Sequence, residues 1–122
     1  VSENLNIKVL EVTGGVHTLP GVDVEPGVSL IQWSIRECDR TDGTRTRHLV
    51  GYDTHGREGR VSSTIVELNL DAKTAKTKSG RVYSLKGDPG QHSDSEYVWQ
   101  TWLYLQKAKN DADVTTRLWR KS

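Results

Sequence analysis

From Ser29 to Cys38 apolar and polar residues alternate, and no other run constrains the fold of this chain as strongly. Successive side chains of a strand point to opposite faces, so Ile31, Trp33 and Ile35 are expected on one side and Gln32, Ser34 and Arg36 on the other. Asp42-Gly43 follows at the strand's end, a dipeptide that supplies the backbone angles of a tight hairpin turn. Residues 46–53 then read as the returning partner, so a β-hairpin stands at the centre of the expected fold.

The rest of the chain builds around it. Residues 6–12 read as a first strand with ambiguous alternation. Residues 13–28 are punctuated by Gly14-Gly15, Pro20-Gly21 and Pro26-Gly27, which predicts a turn-rich arm wrapping the domain or a loose hairpin. After a loop through Gly59, residues 61–70 read as one strand with Val66, Leu68 and Leu70 on a shared face. Turns at 71–74 and at Ser79-Gly80 then fold short strands at 75–78 and 81–86 into an antiparallel meander.

A helix is predicted over 93–109. Ser93 and Glu96 have capping-box spacing, Asp94 suits the positive end of the helix dipole, and Val98, Trp102 and Leu105 form a stripe at i, i+4, i+7. Residues 114–119 alternate as a last short strand. The expected fold class is mainly β: about six antiparallel strands in a curved sheet or partly open small barrel, with one C-terminal amphipathic helix packed on it. At 122 residues the chain is long enough for one core and too short for two, so 1–122 reads as a single domain.

Composition bears on function mainly through its rings. There is no Phe and no Met, while four Trp and four Tyr carry the large apolar surface. Both types have a polar end that seeks a partner when buried, which places some of them at a core rim or an interface. A helix resting on one sheet needs an apolar stripe about 100° wide. The rings between 97 and 104 spread over more than that. Tyr97, Trp99 and Tyr104 are therefore the candidate protein-contact residues, with core-rim packing as the alternative. A second surface is the hairpin over 72–86, which holds five cations and no acid. Lys73, Lys76, Lys78, Arg81 and Tyr83 are the candidate nucleic-acid residues, cations following a phosphate backbone and the tyrosine stacking on a base. The competing use of such lysines is to keep a sheet edge from pairing with another chain. A net charge of +1 speaks against strong non-specific DNA affinity.

Catalytic signals are sparse. Asp53 and His55 are two apart and point the same way on an extended stretch. No second histidine follows at ligand spacing, and His17, His48 and His92 read as scattered, solvated residues near turns. Cys38 lies between Glu37 and Asp39, neighbours that raise a thiol pKa, and so reads as structural. No nucleophile elbow, phosphate loop or dinucleotide fingerprint occurs. The expectation is no catalytic residue, no metal and no cofactor. A lone cysteine suits a reducing cytoplasm. No apolar stretch approaches the ~20 residues of a membrane helix, and the opening residues are not expected to be a signal peptide.

The run Thr77-x-Ser79-Gly80-Arg81-x-Tyr83-x-Leu85, followed by Tyr97-Val98-Trp99, resembles a pattern in small, uncharacterised bacterial proteins of phages, plasmids and genomic islands. The likeness covers residues 59–104. That group has no established activity, so the resemblance implies no catalytic residue. It implies a bacterial, mobile-element setting, in which small proteins often inhibit host defence systems or act as accessory regulators. The leading expectation is a small intracellular binding protein working through protein contacts with a partner or a second copy. A nucleic-acid-binding accessory protein is the alternative.

Overall fold

The computed structural model describes residues 12–13 and 25–119. All of the expected first strand but Val12, and residues 14–24 of the turn-rich arm, lie outside them. In chain order the described strands are β1 (Val12–Thr13), β2 (Gly27–Asp39), β3 (Arg45–Asp53), β4 (Glu58–Val61), β5 (Ile65–Asn69), β6 (Thr74–Thr77), β7 (Val82–Leu85) and β8 (Lys109–Asp113). Helix α1 (Ser93–Gln106) precedes β8, and one helical turn, α2 (Thr115–Leu118), follows it. The fold is mainly β, an open sheet ordered β1-β4-β3-β2-β7-β6-β5 with a helix packed on it, and β8 pairs with β2 off this path.

The hairpin of β2 and β3 is the expected centre, with Gly43 at φ +88° in its turn. One residue changes its phase. Gln32 sits at φ +45°, and both Gln32 and Trp33 face Gly51, so the register slips between Ile31 and Ser34. This β-bulge puts Leu30, Trp33 and Ile35 in one apolar cluster and leaves Ile31 out of it, correcting the simple alternation. Gly51 makes the bulge possible, because a Cβ there would lie 3.1 Å from Leu30 Cβ and 3.3 Å from the Ile31 carbonyl oxygen.

Beyond the bulge, Trp33 to Cys38 are all buried because both faces of β2 are covered. One face carries Leu30, Trp33, Ile35, Leu49, Tyr83 and Leu85; the other carries Cys38, Val50 and Val61 beneath Val98, Trp99 and Trp102 of α1.

The expected strand over 61–70 is two strands. Residues 62–64 join β4 to β5, which lie five positions apart in the sheet order. Across a flat sheet those positions are ~24 Å apart at ~4.8 Å per strand. The link from Val61 to Ile65 spans at most ~14 Å, so the sheet must curl. Ser62 fastens the bend: its N–H donates to the Leu49 carbonyl at 2.9 Å, and its Oγ accepts from the Leu49 N–H at 2.9 Å. On the far side the Lys78 N–H donates to the Thr64 carbonyl at 2.7 Å. Val66 is turned outward at a register shift instead of sharing a face with Leu68 and Leu70.

The curl also sets strand directions. Strands β5, β6 and β7 form the expected antiparallel meander, but β7 then runs parallel to the first half of β2, Val82 opposite Gly27 and Leu85 opposite Leu30. An all-antiparallel sheet is thereby corrected. The second half of β2 takes β8 on the edge β7 leaves open.

Helix α1 begins at the expected residue with a different cap. His92 is the N-cap, its Nδ1 accepting from the Asp94 N–H at 3.1 Å, while Glu96 reaches Arg36 on β2 instead of closing a capping box. The helix stops at Gln106, short of 109. Lys107 is left-handed at φ +54°, and the Ala108 N–H returns to the Leu103 carbonyl at 3.0 Å. Asn110 and Asp111 belong to β8, and residues 115–118 form α2 where a strand was expected. There the Thr115 hydroxyl accepts from the Ile35 N–H at 2.8 Å, pinning the turn to β2.

The helix crosses β4 at Gly59, where a Cβ would sit 2.5 Å from the Asp94 carbonyl oxygen, a contact only a shift of helix backbone relieves. Gly59→Ala is expected to cost ~2 kcal/mol or more in chemical denaturation, as overpacking does. Gly27→Ala, whose Cβ would meet its nearest neighbour at an ordinary 3.6 Å, is expected to stay within ~0.5 kcal/mol of the parent.

Candidate functional site

The rings of α1 divide by depth. Trp99 and Trp102 are fully buried, stacked on each other at 5.2 Å and 10°. The Trp99 indole N–H donates to Asp111 at 3.0 Å, and the Arg40 guanidinium lies 5.0 Å over Trp102. Trp99 is therefore removed from the contact surface; its ring completes the core between α1 and the sheet. Tyr97 and Tyr104, seven residues apart and so on one helical stripe, are 64% and 82% exposed.

Tyr104 stands at a groove. Where α1 ends and the chain turns into β8, an open groove of about 760 Å³ is lined by Leu103, Tyr104, Leu105, Lys107, Ala108 and Lys109. The left-handed Lys107 makes this shape, because it turns the chain sharply off the helix axis. Lys107, Lys109 and Asn110 are exposed at its mouth, and Leu105 is 40% exposed. Tyr97 borders a separate recess of about 240 Å³ with Arg57 and Asp94. Of the expected contact residues, the fold brings only Tyr104 to the groove.

The basic hairpin comes apart as a five-residue surface. Lys76 on β6 and Lys78 just past its end are exposed. Lys73 donates to the Gly87 carbonyl at 3.2 Å and lies 5.9 Å over the Trp119 ring. Arg81 is buried, its Nε donating to the Glu25 carbonyl at 2.9 Å. Tyr83 is fully buried in the curl of the sheet and cannot stack on a base. Alternation along β7 accounts for this: Arg81, Tyr83 and Leu85 point inward, and Val82 points out.

The residues with chemical potential are engaged in structure. Arg60, buried, donates to Asp53 at 3.1 Å and to Glu25. The other oxygen of Asp53 accepts the backbone N–H groups of His55 and Gly56 at 3.0 and 3.1 Å. Asp53 thus caps its own turn, and His55 is exposed at the rim of a cleft of about 410 Å³ shared with Glu25. No three potential metal-ligating side chains converge among the described residues.

His48 is a correction to the reading of solvated histidines. It is fully buried, 4.5 Å from the Trp102 ring. Its Nδ1 donates to the Ser62 carbonyl at 2.9 Å, and its Nε2 accepts from the Thr46 hydroxyl at 2.7 Å. His92, half-buried, is the helix cap and stacks on Tyr52 at 4.2 Å, while His17 lies outside the described residues. Cys38 is buried with its thiol pKa raised by desolvation, the reverse of what activates a nucleophile.

Comparison with known proteins adds no precedent. No family model, curated protein or solved structure matches the chain.

Two features escaped the sequence reading. The groove depends on a helix that ends three residues early, at a lysine in a conformation usually left to glycine. Arg45, Arg47 and Arg117 all converge on Glu37, although Arg117 lies 80 residues away in sequence.

Burial lowers the pKa of His48 from 6.5 to about 4, because desolvation penalises the charged ring. Its folded pKa lies below its unfolded one, so its contribution is complete above about pH 6.5 and is lost as pH falls toward 4. Denaturant titrations should show stability declining by about 3 kcal/mol through that window. His48→Gln should be less stable at neutral pH and should flatten most of that decline.

Proposed function

We propose that the protein is a non-enzymatic binding protein that acts through protein contacts, with the groove between the end of α1 and the start of β8 as its contact site. The observation that carries this is Tyr104, 82% exposed on a helix whose two tryptophans supply the core, at the rim of an apolar groove. A tyrosine in that position offers a large contact area and a hydroxyl at low entropic cost, which is why such residues anchor interfaces. Leu103, Leu105 and Ala108 furnish an apolar floor for a partner's side chain. Lys107 and Lys109 place two positive charges at the mouth, and the one acid lining the groove, Asp111, is engaged by the Trp99 indole. The partner these features fit is a protein segment presenting an apolar or aromatic side chain with Asp or Glu beside it.

Supporting the non-enzymatic part of the reading, Asp53, His48 and Cys38 each serve packing or backbone capping. In the nucleic-acid alternative the hairpin contributes two exposed lysines in place of five residues.

The test is selection of a random peptide library on the immobilised protein, followed by titration of the enriched peptides against the parent and Tyr104→Ala. Enriched peptides should pair an apolar residue with acidic neighbours. Tyr104→Ala should weaken them about 30-fold, the effect of losing a ~2 kcal/mol anchor, while the thermal midpoint stays within about 2 °C. Charge reversal by Lys107→Glu with Lys109→Glu should weaken them further. Peptides that bind parent and Tyr104→Ala alike would refute the assignment.

A further inference from the structure

The arginines around Glu37 carry an inference independent of the groove. Glu37 is buried on β2, with its carboxylate at the base of a cluster that strands β2, β3 and β8 and helix α2 bring together. Its Oε1 accepts from Arg45 Nε at 3.0 Å, and its Oε2 accepts from Arg47 Nε at 2.7 Å and from Arg117 Nη2 at 3.1 Å. Arg47, then Arg45 and Arg117, hold the Glu37 carboxyl below its ordinary pKa against the opposing effect of burial, so it is a fixed anion.

The three guanidiniums are not equally occupied. Arg45 also donates through Nη1 to Asp39 at 2.9 Å and to the Asn110 carbonyl at 3.0 Å, so only its Nη2 is left without an acceptor among the described residues. Arg47 and Arg117 spend one N–H each on the shared Oε2, and their other N–H groups meet no acceptor among the described residues. Their side chains are 42% and 62% exposed. Three arginines face two carboxylates, Glu37 and Asp39, which leaves a net positive charge. Two cations sharing one oxygen also repel each other, and an anion between them relieves that repulsion.

We propose that Arg47 and Arg117, oriented from below by Glu37, form a seat for a phosphate group. One guanidinium fork fills a carboxylate, whereas two forks side by side supply enough donors for the several oxygens of a phosphate. Glu37 and Arg45 are positioning residues: Glu37 holds the two forks together, and Arg45 completes the neutralisation of Glu37 and Asp39. The phosphate belongs either to a nucleic-acid backbone or to a small phosphorylated molecule, and the two probes below separate these sources.

Calorimetric titration at low salt, with inorganic phosphate and with a short oligothymidylate, tests the seat. At least one probe should bind, and Arg117→Gln and Arg47→Ala should each weaken it tenfold or more. Lys76→Ala with Lys78→Ala should leave it unchanged. A preference for the oligonucleotide, with a salt slope that falls by about one in Arg117→Gln, assigns the phosphate to a nucleic-acid backbone. Binding of inorganic phosphate with no such preference assigns it to a small molecule. Arg117→Gln keeps a donor for Glu37 on a mostly exposed side chain, so the test stands even where Arg47→Ala lowers stability. Absence of binding by both probes, or affinity unchanged in folded Arg117→Gln, overturns the proposal. Neither result bears on the Tyr104 groove, which Arg47, Arg117 and Glu37 do not line.

Discussion

Residues 62–64 carry the chain between strands that a flat sheet would hold too far apart for them to reach. Everything else follows from that short link. The sheet curls, β7 comes alongside β2 in the parallel sense, and an interior forms that Trp33, Tyr83 and Leu85 fill. The bend is held by Ser62, whose paired bonds to Leu49 satisfy backbone groups that the break between β4 and β5 would otherwise strand. The same serine's carbonyl takes the imidazole N–H of His48, so the bend and the packing beneath α1 share one residue.

Burying polar groups on this scale is expensive unless each is paired. Arg60 lies between Asp53 and Glu25, Arg36 between Glu96 and Asp113, and Glu37 beneath its three arginines. These pairs tie separate elements together: Arg36 joins β2 to α1 and β8, and Arg60 joins β4 to the end of β3 and to the segment before β2. They also consume most of the side chains from which catalytic groups could be drawn. Among the described residues, two of the places left available outside the core are the groove where α1 ends and the outward forks of Arg47 and Arg117. Both occur where elements meet and the packing is incomplete.

Legibility varied with the range of the cause. The hairpin at Asp42-Gly43, the meander after residue 64 and the start of α1 at Ser93 are local, and the alternation, turn residues and helical stripe predict them. Of the stripe Val98, Trp102 and Leu105, the first two lie on the buried face, whereas Leu105, next to the early end of the helix, is 40% exposed. Trp99 was misjudged because a stripe argument measures how much apolar surface one sheet face needs. Here the helix sinks against β4 at Gly59, deep enough to take both tryptophans. Tyr83 was misjudged for a related reason: a meander read as an exposed hairpin has its inner side lining a curled sheet. His48 had no signal in the sequence at all, since its burial depends on Ser62 and Trp102 arriving from elsewhere.

The sequence by itself determined the central hairpin, the meander and the start of α1, because turn chemistry and side-chain periodicity act over a few residues. Tertiary structure decided the bulge at Gln32, the parallel edge between β2 and β7, the early end of α1, and which rings and cations remain outside. Those outcomes depend on long-range closure of the sheet, and no local pattern encodes the length of a link relative to the distance it must span. The two proposed surfaces fall in this second class: Tyr104 stands at a groove because Lys107 turns the chain into β8, and Arg117 meets Arg47 because α2 is pinned to β2.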